Sequence, residues 1–330
     1  MKSTRPRRFL TLVLALALTA CAATPSAGAT ESSQPEAGAA LGTATRPIVL
    51  AVPPLTEAIA PLAQEIADQI SALTGFVVVL REVASERELV EALGAGEVHI
   101  AWLSPPAYLF ARQNNYADLA LATTRGGQDR QAVQFLVNAT AAARGEFKTY
   151  AIESTGENVA DAATALAQFA DKRPCWTDSH SASGYAAPLG LLYENGISVK
   201  TGAFLQSDLA LVRSLYLDPE GGVCQFGATY ADARPLLAAE YEDVKDKVAV
   251  VWVSPPIVPF DAVVFAASLP QEARIPIMAA LMSLTQSDHG RAALAAIYKT
   301  EAFLLADDSL LADLRRLVDA SDLYLLDLLR

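Results

Sequence analysis

The sequence predicts an α/β protein of two lobes, each a mostly parallel sheet flanked by helices, with a cleft between them. Three observations predict it. Strand-like and helix-like patterns alternate from Pro47 onward. Two of the apolar runs, at 98–103 and 247–253, each end in Ser-Pro-Pro. Beyond a polar N-terminal stretch there remain roughly 280 residues, enough to bury the cores of two modest domains.

Taken in order, residues 48–52 are a short apolar run stopped by Pro53 and Pro54, which reads as a buried strand. Ile59, Leu62, Ile66, Ile70 and Leu73 then recur at helical spacing up to Gly75. A strand at 77–80, a helix at 85–95 with Leu89, Val90 and Leu93 inward, and a strand at 98–103 complete a βαβαβ order. That order implies parallel strands with covering helices. A second α/β stretch begins near Gly145. It reads as helix 155–170, strand 175–177, helix 184–195 closed by Gly196, strands 201–205 and 225–229, and strand 247–253. One more strand follows at 262–266, and 272–330 reads as mostly helical. The chain is expected to cross between lobes near 138–144 and 253–259. The first lobe would then comprise 47–141 and 256–330, and the second 142–255.

At the N-terminus, Arg5, Arg7 and Arg8 precede an apolar run of about ten residues, half of the roughly 20 a membrane span needs. It ends in Leu18-Thr19-Ala20-Cys21, small residues before a cysteine, which is the pattern of a lipoprotein signal peptide over 1–20 with Cys21 acylated. The alternative is an ordinary signal peptide with a chance cysteine. Residues 21–46 are rich in Ala, Thr, Ser, Gly and Pro, with Leu41 as the large apolar exception, and are expected to form a flexible tether. The folded part would then work on the outer face of a cell membrane.

The chain carries a net charge of −12. Removing Lys2, Arg5, Arg7 and Arg8 with the leader takes this to −16, which argues against nucleic acid as a partner. Export favours a disulfide between Cys175 and Cys224, which needs Cα atoms about 5.5 Å apart; the alternative is two buried thiols. No metal site or cofactor is expected, since the three histidines lack ligand spacing. No nucleophile elbow, zinc signature or phosphate loop is present, so no enzymatic activity is expected.

The segment from Asp178 to Tyr185 (Asp-Ser-His-Ser-Ala-Ser-Gly-Tyr) follows a predicted strand and opens a predicted helix. Ser181 and Ser183 offer hydroxyls beside the free N–H groups of a first helical turn, where an anion is favoured. A plain serine cap is the competing reading.

Four stretches together resemble the phosphonate, phosphite and phosphate-binding proteins of ABC importers, the PhnD-like family, from about residue 48 to 308. They are Gly96-Glu-Val-His-Ile-Ala-Trp-Leu-Ser-Pro-Pro-Ala-Tyr108, the Asp178–Tyr185 loop with its helix, Trp252-Val-Ser-Pro-Pro-Ile257, and Phe303-Leu-Leu-Ala-Asp-Asp308. The resemblance implies a type II periplasmic binding protein fold that closes on its ligand. It places Ser181, Ser183, Gly184 and Tyr185 at the oxyanion, Tyr108 facing the cleft, Ser104 at the end of the same strand, and Tyr230 and Asp232 on a later strand. Three positions depart from the family pattern. Ala182 replaces a threonine, Gln206-Ser-Asp208 lacks a histidine, and His99 stands where an acid is usual. His180 would supply the missing donor, or is simply a solvent-facing loop residue.

The function implied is that of an extracytoplasmic, monomeric binding lipoprotein delivering a small oxyanion to an ABC permease. The alternative is a sensing lipoprotein for another small solute, of carboxylate or thiamine-precursor type. Tyr108 and Trp102 would line a larger pocket for it, although core packing is the favoured reading of Trp102.

Overall fold

A computed structural model describes residues 40–330. The expected signal peptide, Cys21 and all but the end of the expected tether lie outside the described residues. The end of that tether is folded. Leu41 packs on the core, the Gly42 N–H donates to the Arg46 carbonyl (2.8 Å), and the Gly42 carbonyl accepts from the Val77 N–H (2.8 Å). Glycine is required there: its φ is +93°, and a Cβ would lie 2.6 Å from the Phe76 ring.

In chain order the strands are β1 (Ile48–Val52), β2 (Val78–Glu82), β3 (Ile100–Leu103), β4 (Ala117–Thr124), β5 (Arg130–Gln131), β6 (Val133–Asn138), β7 (Pro174–Trp176), β8 (Ala203–Phe204), β9 (Phe226–Tyr230), β10 (Val248–Val253), β11 (Val258–Pro259), β12 (Ala262–Ala266) and β13 (Ala302–Leu305). One sheet has the order β13-β4-β12-β3-β1-β2 and the other β10-β6-β9-β7-β8. β1 is parallel to β2 and β3, and β7 to β8 and β9. The pairings of β12, β4 and β13, and of β6 with β9 and β10, are antiparallel. Both sheets are therefore mixed, where mostly parallel sheets were expected. The difference comes from β4, β6 and β13, apolar segments outside the alternating helix pattern on which the expectation rested, and from β12, an expected strand that pairs antiparallel with both β3 and β4.

β6, residues 133–138, which are expected in the first lobe, is hydrogen bonded to β9 and β10 within the second sheet. The outward crossing falls at 125–132, earlier than 138–144; the return lies at 254–261. The two crossings meet in the short antiparallel pair of β5 and β11. The expected helix 155–170 shrinks to Ala162–Leu166 and one further turn. Its first part is drawn to the edge of β10, where the Asn158 side chain accepts from the Val253 N–H (3.0 Å) and donates to the Val253 carbonyl (2.6 Å).

Alternate strand residues face opposite cores. Ile100 and Trp102 join Ile48 and Leu50 beneath helices Ala60–Thr74, Gln271–Leu284 and Asp288–Tyr298. Ala101 and Leu103 face a core that continues into the second sheet through Val133, Phe135, Phe226 and Val251. Burial on both faces explains why these strands read as unbroken apolar runs. A third core holds Leu136, Leu211, Leu215 and Val248 on the far side of the second sheet. Helix Ala312–Ala320, expected in the first lobe, lies on Ala187–Glu194 of the second. Gly190 permits the approach, since a Cβ there would be 2.4 Å from the Leu317 carbonyl oxygen.

Cys175 on β7 and Cys224, two residues before its neighbour β9, form a disulfide with Cα atoms 5.4 Å apart. It closes a loop across a sequence separation of 49. Chain-entropy reasoning puts its contribution at about 4 kcal/mol. Urea unfolding of the Cys175→Ala, Cys224→Ala double variant is expected to show a stability lower by about 2–4 kcal/mol. An unchanged midpoint would contradict that contribution.

Candidate functional site

β1 and β3 run parallel and end on the same edge of the first sheet, where their apolar runs give way to Pro53-Pro54 and to Ser104-Pro105-Pro106. Proline cannot continue the ladder but suits a first helical turn. Helix Pro105–Gln113 starts there, with the Ser104 hydroxyl accepting from the Ala107 N–H (3.4 Å). The Ser104 N–H in turn donates to Glu86 (3.2 Å). In the second sheet, β7 ends at Trp176, and the loop 177–181 leads into a turn of wide, π-type hydrogen bonding at Ala182–Ala186. That turn runs directly into helix Ala187–Glu194.

These two strand ends face one cavity of about 600 Å³. Ser104 lies on one side and His180, Ser181 and Ala182 on the other. The crossing segments complete the wall with Arg125, Gln131, Pro259, Phe260 and Asp261, and the end of helix Asp288–Tyr298 adds Tyr298 and the following Lys299. Arg330 also reaches the cavity, 3.5 Å from Asp178.

The donors are held in place. Ser181 Oγ accepts from the Gly184 N–H (2.9 Å), which leaves its own O–H to donate elsewhere. A cap and a ligand contact are therefore compatible. Ser183 is half-buried and its hydroxyl makes no hydrogen bond among the described residues. The His180 N–H and Nδ1 both donate to Asp178 Oδ1 at 2.8 Å. Burial works to raise the Asp178 pKa, but the His180 hydrogen bonds and the Arg330 charge outweigh it and hold the carboxyl below the usual range. As an ionised carboxylate only accepts, the imidazole keeps its Nδ1 proton, and Nε2 donates to an anion only when the ring is doubly protonated. Gly184 serves the backbone: a Cβ there would lie 1.9 Å from Thr177 Oγ1.

Other expected ligand residues lie elsewhere. Tyr108 does not border the cavity and is wholly buried, its hydroxyl donating to Asp308 and accepting from the Leu119 N–H (3.2 Å). Burial, and then the Asp308 hydrogen bond, push its pKa well up. Arg112 Nε holds the same carboxylate at 2.8 Å. This tyrosine joins helix Pro105–Gln113 to the Asp307-Asp308 turn. Tyr185 packs on Trp176 and Phe204 within the second lobe. Asp232 is committed to Gln134 Nε2 (2.9 Å) and to the buried Arg234 guanidinium, which Glu153 also holds. Tyr230, half-buried beside Asp208 and Asp232, is likewise outside the cavity wall.

Sequence reading missed Arg125, Phe260, Asp261, Tyr298 and Lys299. All lie in or beside crossing segments and helix ends, where no periodic pattern marks them. Arg125 donates to Asp261 (3.1 Å) and sits over the Phe260 ring at 4.9 Å. Lys299 forms no ion pair among the described residues. Trp102 is 8% exposed and stacked on Tyr298, with ring centres 3.9 Å apart and planes 7° apart, yet it borders the cavity as well as the core. Among the described residues no cluster of three or more His, Cys, Asp or Glu suits a metal ion, and no helix is long and apolar enough to cross a membrane.

Several solved structures share this architecture. XAC2383 from Xanthomonas citri, determined bound to ATP, is 16% identical with a TM-score of 0.62, over 83% of this chain and 96% of that one. PhnD1 from Prochlorococcus marinus, in complex with methylphosphonate, is 14% identical with a TM-score of 0.56, over 84% and 98%. A binding protein component of an ABC phosphonate transporter from Pseudomonas aeruginosa, PA3383, is 16% identical with a TM-score of 0.52, over 82% and 85%. At such identities they show the fold. No curated protein sequence matches the chain. The family described as ABC transporter, phosphonate, periplasmic substrate-binding protein matches residues 53–311, most of the chain. The chain belongs to that family of periplasmic substrate-binding proteins of phosphonate ABC transporters.

Proposed function

We propose that this substrate-binding protein holds a phosphonate, phosphite or phosphate-type oxyanion in the cavity between its two sheets and delivers it to its permease. The observation that carries this is the convergence of Ser104 from one sheet and His180 and Ser181 from the other on one cavity bordered by Arg125, Lys299 and Arg330. Ser183, the next hydroxyl of that loop, joins the oxyanion as the lobes close. A ligand bridging the two sides favours the closed arrangement by its differential affinity for it, and closure changes the surface offered to the permease. The lobes follow the sheets, with the first holding 41–124 and 262–305 and the second 133–253. The cavity is complete within one chain, which supports a monomeric binder. Acylation at Cys21 would keep it at the outer face of the membrane, and the pattern Leu18-Thr19-Ala20-Cys21 supports that reading.

Titration calorimetry is expected to show micromolar or tighter binding of at least one of phosphate, phosphite, methylphosphonate and 2-aminoethylphosphonate. Ser181→Ala with Ser183→Ala is expected to weaken it by tenfold to a few hundredfold, since a hydrogen bond to a charged group contributes about 1.5–3 kcal/mol. Thermal melting must accompany the measurement, as the lost cap alone costs about 1 kcal/mol of stability. No binding below millimolar by any of the four, or full affinity in a folded double variant, would contradict the assignment.

Cells expressing the full chain and fed labelled palmitate are expected to label it, and Cys21→Ala to abolish the label. A labelled Cys21→Ala protein, or an unlabelled wild type, would rule out this anchor.

A further inference from the structure

The wall of the cavity is only partly suited to an ion. Val52, Leu89, Pro259, Phe260 and Ile297 border it together with the Trp102–Tyr298 stack. None of these side chains except Trp102 and Tyr298 can hydrogen bond, so an inorganic oxyanion would leave most of this surface against water. The volume of about 600 Å³ lies within the range of roughly 300–1,000 Å³ typical of sites for larger organic ligands.

Trp102 adds a directional feature. Its Nε1–H is buried and has no hydrogen-bond partner among the described residues. By contrast, the Trp252 indole donates to the Ala160 carbonyl at 3.2 Å. A buried unpaired donor is uncommon in folded proteins and calls for a partner such as water or a ligand. The ring is fixed in advance: Tyr298 stacks against it and is itself tied down through a hydrogen bond from its hydroxyl to the Ala51 carbonyl (3.0 Å). Such a donor loses little freedom on binding.

We propose that the Trp102 indole N–H donates to the solute, and that the preferred solute is an oxyanion bearing an organic substituent with a hydrogen-bond acceptor such as a carbonyl. The charged end meets the Ser181 loop and the substituent lies along the Trp102 side of the cavity. This rests on the oxyanion-binding function proposed above and makes Trp102 a specificity-determining residue within it.

The test compares 2-oxopropylphosphonate, propylphosphonate and inorganic phosphate by calorimetry on the wild-type protein and on Trp102→Phe, which keeps an aromatic ring but lacks the donor. The wild type is expected to bind the ketone about tenfold more tightly than propylphosphonate, as one hydrogen bond provides, and phosphate most weakly. Trp102→Phe is expected to bind the two organic ligands with equal affinity, whatever the change common to both. Equal affinities in the wild type, as a resident water paired with the indole predicts, or a gap that survives the substitution, as a different donor predicts, would overturn the proposal. Should the variant fold poorly, ¹⁵N-labelled wild type decides: one of its three indole N–H resonances must move with the ketone and stay in place with propylphosphonate. Failure to move overturns the inference while leaving the oxyanion reading intact. Absence of binding by all three ligands overturns both.

Discussion

The site depends on the meeting of two chain crossings. Residues 125–132 leave the first sheet and 254–261 return to it, and β5 and β11 pair where they pass, Arg130 beside Pro259 and Gln131 beside Val258. The Ser254 hydroxyl reinforces the junction by accepting from the Val133 N–H (2.9 Å) and donating to the Pro255 carbonyl (2.6 Å). With the crossings fixed at one side, the strand ends at Ser104 and Thr177 are brought to opposite walls of one cavity. The crossings themselves contribute Arg125, Phe260 and Asp261 to that cavity. A short backbone pair of this kind can absorb changes in dihedral angle more readily than either sheet, as hinge segments do.

Two further connections join the halves. Helix Ala312–Ala320 sits on Ala187–Glu194 through the Gly190–Leu317 approach, and the turn at Leu325–Leu328 then returns to helix Pro105–Gln113. Arg87 fixes that return by donating to the Leu326 carbonyl (3.0 Å) and, through its backbone N–H, to the Arg330 carbonyl (3.2 Å). The Arg330 guanidinium can therefore face Asp178 beside the ligand loop. In this acidic chain, with 37 Asp and Glu against 25 Lys and Arg, the cavity wall carries the cations Arg125, Lys299 and Arg330 together with the carboxylates Glu86 and Asp261. Local arrangement of donors, and not net charge, sets the sign of a binding site.

Much of the fold was legible because strands buried on both faces and helices with one apolar stripe leave distinct patterns. β1, β3, β10 and β12 show as apolar runs, and Ser-Pro-Pro marks where two of them end. β4 and β6 lie in a stretch with no helix between them, so the alternation that identifies other strands is absent there. Ser104, His180 and Ser181 stand on strand-to-helix loops that sequence patterns mark, and the structure brings those loops to one cavity. Tyr108 is expected at the cleft, and the structure buries it against Asp308, 200 residues away, an engagement that nothing local reveals. Asp232 is expected on the ligand, and the structure pairs it with Arg234, two residues on, and with Gln134 of β6. Trp102 reads as core from the sequence, which its stacking on Tyr298 agrees with, and its position near a strand end also brings it to the cavity.

The central claim is that an oxyanion lies between the two sheets and is gripped from both. A crystal structure of the protein with methylphosphonate tests it most directly. The account predicts phosphonate oxygens within about 3 Å of the Ser181 and Ser183 hydroxyls, with the opposite side of the same anion met by the first sheet's wall around Ser104. A ligand bound to one lobe alone, or seated at the separate surface depression lined by Arg112, Arg315 and Arg316, would contradict it.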